Sequence, residues 1–576
     1  MIPGKIMLRK LDAGAATVFL MVLAVHLLLR SSVRKYYASH LPHYDSIGSY
    51  TFAYDVLNTY AAQGWWAGVK HASGFGLSLT QPMFAAVFAP FLSSTPQSLL
   101  LYNSLCLGLL CWALYVLCRA LGAGPFKGVA AAALPLVPDA FYWWNGGLQD
   151  WQRDPSYFCL LASSFFLFFR HLLIRTTASG MILGLAIALT ILSRDSAPGY
   201  VLMIIGPLFI VWFIALVWQK RLRQNIAALA VPALIATAGA GVYALFMLQH
   251  TLARFGNVYT FYSWHSGFLI TLRAQWMAPY EVLIGTSTGL GAAARVNLAV
   301  IGGLALAAVI LALLRLWRIE RQTLVRPAVR MLLLGGLWAF LFTMINLIGI
   351  VGIGSLPFAQ VKPMCYPAVI LFLAAGVALI VSLHSRKGRG FAAAATALFA
   401  GTLVLSAPVR IAAKTFDHDP AHRAALPTLI KLAGEKPGAV FAFFWHDGIT
   451  ADTLRYYLAQ RNQGKPLQLG FSSRDGHAVD LAMGIPSGSN VANMQHDLLH
   501  ATLCRADFVV VTTQLERYAR DDELMFIFRH GRPVVEGIMK ELHDQPVFDY
   551  RWYDVPLRLY DNRARSRCDK TKAPGA

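Results

Sequence analysis

SGMILGLAIALTILSRDSAPGYVLMIIGPLFIVWFIALVW, residues 179–218, decides the fold. Its two apolar runs, 179–193 and 198–218, are interrupted only by Ser193-Arg194-Asp195. Apolar runs of about 17–25 residues match the roughly 30 Å hydrocarbon core of a bilayer. Nine further runs are read as crossings: Ala13 to Leu29, then 97–118, 128–144, 155–170, 225–248, 291–314, 331–351, 367–384 and 391–409. The expected fold is therefore a polytopic α-helical membrane protein with about eleven transmembrane helices.

Composition agrees. Charged residues make up 14% of the chain, against about 25% in soluble proteins, so lipid surrounds much of it. Only nine of the 29 acidic residues precede residue 410, which puts a domain boundary near Pro408. The division expected is a transmembrane domain over 1–409, with an outer loop at 31–96, and a soluble domain over 410–576. The net charge of +21 does not indicate nucleic acid, because Lys and Arg gather in short loops between apolar runs. None of the seven cysteines forms a C-x-x-C pair, which argues against a metal or redox site.

A cytoplasmic N-terminus places 18 basic residues and two acids in the inner loops, as the positive-inside rule requires. Arg30, Arg34 and Lys35 are the main exceptions. An odd number of spans then leaves the C-terminal domain outside, so the expected location is a cell inner membrane with a periplasmic tail. Asp45, Asp55, Asp139, Asp150, Asp154, Asp195 and Glu281 all fall on that outer side. Carboxylates near a membrane are costly, and seven on one side suggest a working cavity there.

Several groups of residues could carry chemistry. Ser46 to Tyr60 is semi-apolar and aromatic, as expected of a helix in the membrane interface. Asp45 precedes it, either as an N-cap or as a general base for an acceptor. Asp55 is a partner candidate or a solvated residue. In WWNGGLQDWQRDP (143–155), Asp154 before Pro155 reads as a helix N-cap, while Asp150 and Arg153 read as the rim of a polar cavity. Arg194 either pairs with Asp195 or binds phosphate, for which a planar guanidinium is suited. Lys362, in QVKPMCYP (360–367), is an interface anchor or a point charge for a lipid-linked phosphate.

The order of these parts resembles the GT-C membrane glycosyltransferases, in particular the branch of protein O-mannosyltransferases and the lipid A aminoarabinose transferase. The resemblance covers about 10–385. It rests on Asp45 after the first span, Gly64-Trp65 and Gln81-Pro82, Asp154 opening the fourth span, the polar break at Ser193-Arg194-Asp195, and Lys362, Tyr366 and Pro367 entering a late span. Two departures stand out: Ser46 where the family often has a second acid, and Cys365 where it usually has Arg. The resemblance implies transfer of a sugar from a polyprenyl-phosphate donor, with inversion, at the outer membrane face. Asp45 would be the catalytic base. Asp55, Asp150, Arg153, Asp154, Arg194, Lys362 and Tyr366 would bind substrate, and Lys362 with Arg194 or Arg153 would hold the departing phosphate. The implied partners are the lipid-linked donor, membrane lipids and an envelope glycan, lipid or protein acceptor. Some relatives use a divalent cation and others do not; no ligand cluster in the sequence decides.

After Lys414 the sequence reads as a soluble α/β domain. Val440 to Trp445 and Phe508 to Thr512 are strand-like; Thr453 to Gln460 and Asp521 to Phe528 are helix-like. His446-Asp447-Gly448 reads as a strand-end turn, and Cys504 with Cys568 is an open disulfide possibility. The domain's expected role is to cover the cavity or bind acceptor. The competing function is a transporter or flippase for a lipid-linked or polyanionic substrate. That reading requires charges buried mid-span and repeated halves, and neither is evident.

Overall fold

The computed structural model describes residues 13–37, 44–136, 138, 147, 148, 150, 151, 153–252, 325–351 and 358–382. It also describes 427, 428, 430–432, 441–444, 456, 458–460, 507–512, 546–552 and 555–561. The expected spans 291–314 and 391–409 lie outside the described residues. So do Asp139, Glu281, the 521–528 helix, His446-Asp447-Gly448, both C-terminal cysteines and the boundary near Pro408. The chain divides into two compact units.

Most of the first unit is helical. In chain order the helices of the two units are α1 (Ala13–Tyr37), α2 (Tyr44–Gln63), α3 (Trp65–Ser73), α4 (Thr80–Val87), α5 (Pro96–Ala120), α6 (Pro125–Ala133) and α7 (Arg153–Ile174). They continue as α8 (Thr177–Ser193), α9 (Ala197–Ile204), α10 (Gly206–Trp218), α11 (Leu222–Phe246), α12 (Val325–Val351) and α13 (Phe358–Ser382). Five helical segments among the described residues are long and apolar enough to cross a membrane: 13–34, 96–120, 153–174, 197–218 and 222–246. Three shorter apolar helices, 177–193, 327–343 and 369–381, accompany them.

Burial identifies the centre of the bundle. The apolar window of α7 is 78% buried, against 17% for α1 and for α11. Phe165, Phe166 and Phe168 are fully buried, while Phe19, Ile210, Leu234 and Leu245 are open on the outer helices. Large apolar side chains on the outside of a helix bundle are stable only against lipid. The chain is thus a membrane protein.

Two prolines illustrate how the helices hold together. Pro207 has no N–H for the carbonyl of Met203, four residues back; Trp338 of α12 donates its indole N–H to that carbonyl at 2.7 Å. Pro232, inside α11, likewise frees the carbonyl of Ala228. Nε2 of His171, on α7, donates to it at 2.9 Å, and Nδ1 lies 2.7 Å from the Ser179 hydroxyl on α8. One imidazole therefore joins three helices.

One expectation is refined and one is corrected. The run 198–218 remains one candidate crossing but comprises two helices, α9 and α10, parted at Ile205 ahead of Gly206-Pro207. The run 128–144 begins as a nine-residue helix, α6, which tightens into a 3-10 turn at Leu134–Leu136. Pro135 explains the change, since its ring collides with an α-helical carbonyl and it donates no hydrogen bond.

The second unit takes Tyr36–Gly68 together with the described residues of Phe416–Ala576. It contains α2 and a mixed four-stranded sheet of β1 (Phe441–Phe444), β2 (Phe508–Thr512), β3 (Phe548–Trp552) and β4 (Val555–Asp561), in the order β1-β2-β4-β3. β1 and β2 run parallel with Phe441 opposite Phe508; β4 is antiparallel to both β2 and β3. The two strands expected from sequence coincide with β1 and β2. Tyr50 and Tyr54 of α2 pack on Tyr456, at 6.1 and 5.5 Å between ring centroids. Asn58 donates to the carbonyl of Ala459 at 2.9 Å. The outer-loop helix and the C-terminal residues thus share one core, a joining that their separation in sequence hides.

Candidate functional site

The polar end of the first unit is assembled where α7 begins and α8 ends. α7 starts at Arg153, so Asp154 lies in its first turn and not at the expected N-cap. A carboxylate there still complements the helix dipole. Arg194 follows α8 in extended conformation, φ −157° and ψ 149°, which turns its side chain off the helix axis. It forms an ion pair with Asp154, and its Nε lies 3.7 Å from Oδ1 of Asp195. Its guanidinium sits 5.8 Å above the ring of Tyr157. Burial by itself would depress the Arg194 pKa, but the carboxylates of Asp154 and Asp195 outweigh it and shift the group upward. Arg194 remains a cation.

Asp195 is held by backbone and side chain together. Its N–H donates to the carbonyl of Leu77 at 3.1 Å, its carbonyl accepts from the Tyr243 hydroxyl at 2.6 Å, and Oδ1 accepts the Ser196 N–H at 2.9 Å. Leu77 also accepts Nη1 of Arg153 at 3.3 Å, and the N–H of Leu79 donates to Leu192 at 2.9 Å. The segment before α4 is thereby stitched along the α8–α9 break. It continues into Thr80, whose hydroxyl accepts from Tyr102 on α5 at 2.6 Å.

Asp150 is fully buried. Asn103 of α5, equally buried, donates to the carbonyls of Leu148 and Asp150 at 3.2 and 2.7 Å and so fixes the approach to α7. Trp151 packs edge-on against Tyr102, centroids 5.7 Å apart.

The structure thus gathers Arg153, Asp154 and Arg194, with Asp195 and Asp150, in one unit. The pairing of Arg194 with Asp195, one of its two sequence readings, is present, and Asp154 adds a second carboxylate that linear spacing hides. Asp45 falls in the first turn of α2 and not ahead of it, as an N-cap would; its side chain lies outside the described residues. Asp55, also on α2, is half-buried. Lys362 and Tyr366 occupy the first three turns of α13, again without described side chains. Among the described residues no group of three or more His, Cys, Asp or Glu side chains is placed to hold a metal ion.

Sequence reasoning missed Asn103, Tyr157, Tyr243 and the 77–80 segment. Asn103 carried a signal, a lone amide within LLLYNSLCLGLL (99–110). Tyr157 and Tyr243 carried none, because tyrosines near the ends of apolar spans are ordinary belt residues.

No family model matches the chain, and no curated protein matches it. Among solved structures, the chain is similar to ArnT from Cupriavidus metallidurans bound to undecaprenyl phosphate, at 13% identity and TM-score 0.47 over 96% of this chain and 98% of that one. The Archaeoglobus fulgidus oligosaccharyltransferase tethered with an acceptor peptide is similar at 14% identity and TM-score 0.46, over 95% of this chain and 75% of that one. The oligosaccharyltransferase AglB of Archaeoglobus fulgidus, in complex with an inhibitory peptide and a dolichol-phosphate, gives 13% identity and TM-score 0.41 over 88% and 72%. These similar structures are of GT-C glycosyltransferases.

Proposed function

We propose that this protein transfers a sugar from a polyprenyl-phosphate-linked donor to a lipid, glycan or protein acceptor, with inversion, at the outer face of the inner membrane. The observation that carries the reading is the partly buried set of Arg153, Asp154, Arg194 and Asp195 at one end of an apolar bundle. Charges gathered at a helix end and held by the backbone suit a polar substrate headgroup whose chain lies in lipid. The order of motifs along the chain supports the same reading.

In the reaction, an acceptor hydroxyl or amine attacks the anomeric carbon while the bond from that carbon to the phosphate oxygen breaks. The acceptor proton passes to Asp45, and the phosphate departs as an anion. Lys362 and Arg153 stabilise the charge that grows on it. Arg194 is already committed to two carboxylates, and its part is to orient Asp154. The departing phosphate needs no strong acid. The reading leaves a divalent cation open, with no step routed through one.

The test is release of polyprenyl phosphate from the sugar-bearing lipid by purified protein, wild type beside Asp45→Asn, with thermal melts of both. The expected outcome is at least about a hundredfold loss in the variant at an unchanged melting temperature. A wild-type protein that neither binds nor turns over any lipid-linked sugar from its host membranes ends the enzyme reading and leaves transport.

A further inference from the structure

Tyr157 lies three residues after Asp154 on the same face of α7 and is fully buried. The Arg194 guanidinium covers one face of its ring, and Tyr200 meets it edge-on at 5.7 Å. Its hydroxyl nevertheless has no hydrogen-bond partner among the described residues. Burying an unsatisfied hydroxyl is unfavourable, and phenylalanine would fill the same space without that cost. A polar group kept at a loss to stability beside an ion cluster is expected where a ligand completes it.

The charge around it selects the ligand class. Two carboxylates, Asp154 and Asp195, already face the Arg194 guanidinium, so its charge is met within the cluster. An anion gains little from a guanidinium so committed, whereas a neutral polyol is welcome beside Asp154, because carboxylate oxygens accept from its hydroxyls. Asp154 and Arg194, the groups beside Tyr157, retain 16% and 18% side-chain exposure, so the pair itself is not sealed off.

We propose that Tyr157 is a sugar-binding residue, its hydroxyl bonding a hydroxyl of the donor's sugar beside Asp154. The inference rests on the transferase reading and assigns the donor's sugar and its phosphate to different groups of side chains.

The test uses the full chain in lipid nanodiscs and the variant Tyr157→Phe, which removes one oxygen and keeps the ring under Arg194. Thermal stabilisation is titrated with undecaprenyl phosphate and with a panel of undecaprenyl-phosphate-linked pentoses and hexoses. The expected result has three parts: a ligand-free melting temperature at or above wild type, unchanged affinity for undecaprenyl phosphate, and affinity for the sugar-bearing lipid weakened about three- to tenfold, the range of one neutral hydrogen bond. Equal loss for both lipids places the hydroxyl on the phosphate and overturns the proposal. Unchanged affinity for the sugar-bearing lipid overturns it too, as does a lower ligand-free melting temperature, which would reveal a structural partner. A wild-type protein that binds neither lipid defeats the transferase reading itself, an outcome distinct from these.

Discussion

His171 shows how single side chains offset backbone defects within the bundle. Because Pro232 cannot donate to Ala228, the imidazole supplies the missing bond. His171→Leu should therefore cost about 1–3 kcal/mol, the penalty for a buried carbonyl without a partner. In a Pro232→Ala background residue 232 regains its N–H, and the same substitution should cost clearly less. Equal costs in the two backgrounds, measured by thermal or detergent unfolding, would refute this account. Arg194 and Asp154 form the second residue-scale case. Arg194→Gln leaves the Asp154 and Asp195 carboxylates without their shared cation, whereas Asp154→Asn leaves Arg194 with Asp195 alone. The double variant should be less harmful than the sum, with a coupling of about 1 kcal/mol, discounted for the exposure of both groups.

Between helices, close approach is set by small residues. A Cβ on Gly184 of α8 would stand 2.8 Å from Cβ of Ile235 and 3.0 Å from Cα of Pro232; one on Gly239 of α11 would stand 2.8 Å from Cα of Ala188. Gly180, Gly184 and Ala188 repeat every four residues along α8, so one stripe meets α11 throughout. Gly184→Ala should thus cost about 1–3 kcal/mol through overpacking. Gly199→Ala on α9 meets nothing within 4 Å and should be neutral or raise stability by up to about 1 kcal/mol. Melting both variants beside wild type checks this; similar shifts would mean that α8 and α11 are not packed as described.

For the whole molecule, α2 belongs to the core of the second unit through Tyr456 and Ala459. Tyr456→Ala in the full chain should remove a fully packed ring at a cost of about 3 kcal/mol. Hydrogen exchange should then accelerate across 44–63. Exchange confined to the neighbourhood of residue 456 would show that α2 is held by other contacts. This coupling also ties the helix bearing Asp45 to Tyr456 and Ala459, so under the proposed transferase reaction the same variant should slow turnover.

The sequence by itself determined that this is a membrane protein, which runs of it are apolar enough to span, and where strands β1 and β2 lie. Apolar length and charge depletion are local quantities, and lipid responds to them without reference to the rest of the fold. It also pointed to Arg153, Asp154 and Arg194, because charges beside apolar spans are conspicuous. Only the tertiary structure decided that Arg194 meets Asp154 forty residues away, that Tyr157 lies beneath it, and that α2 packs with Tyr456 and Ala459, some four hundred residues on. It likewise decided that α6 gives way to a tighter turn. Such pairings depend on which helix faces meet, and the faces of helices without a polar stripe are not written into their apolar residues. Prolines give the clearest contrast. Their positions reveal which carbonyls are freed, but only the packing names Trp338 and His171 as the donors that satisfy them.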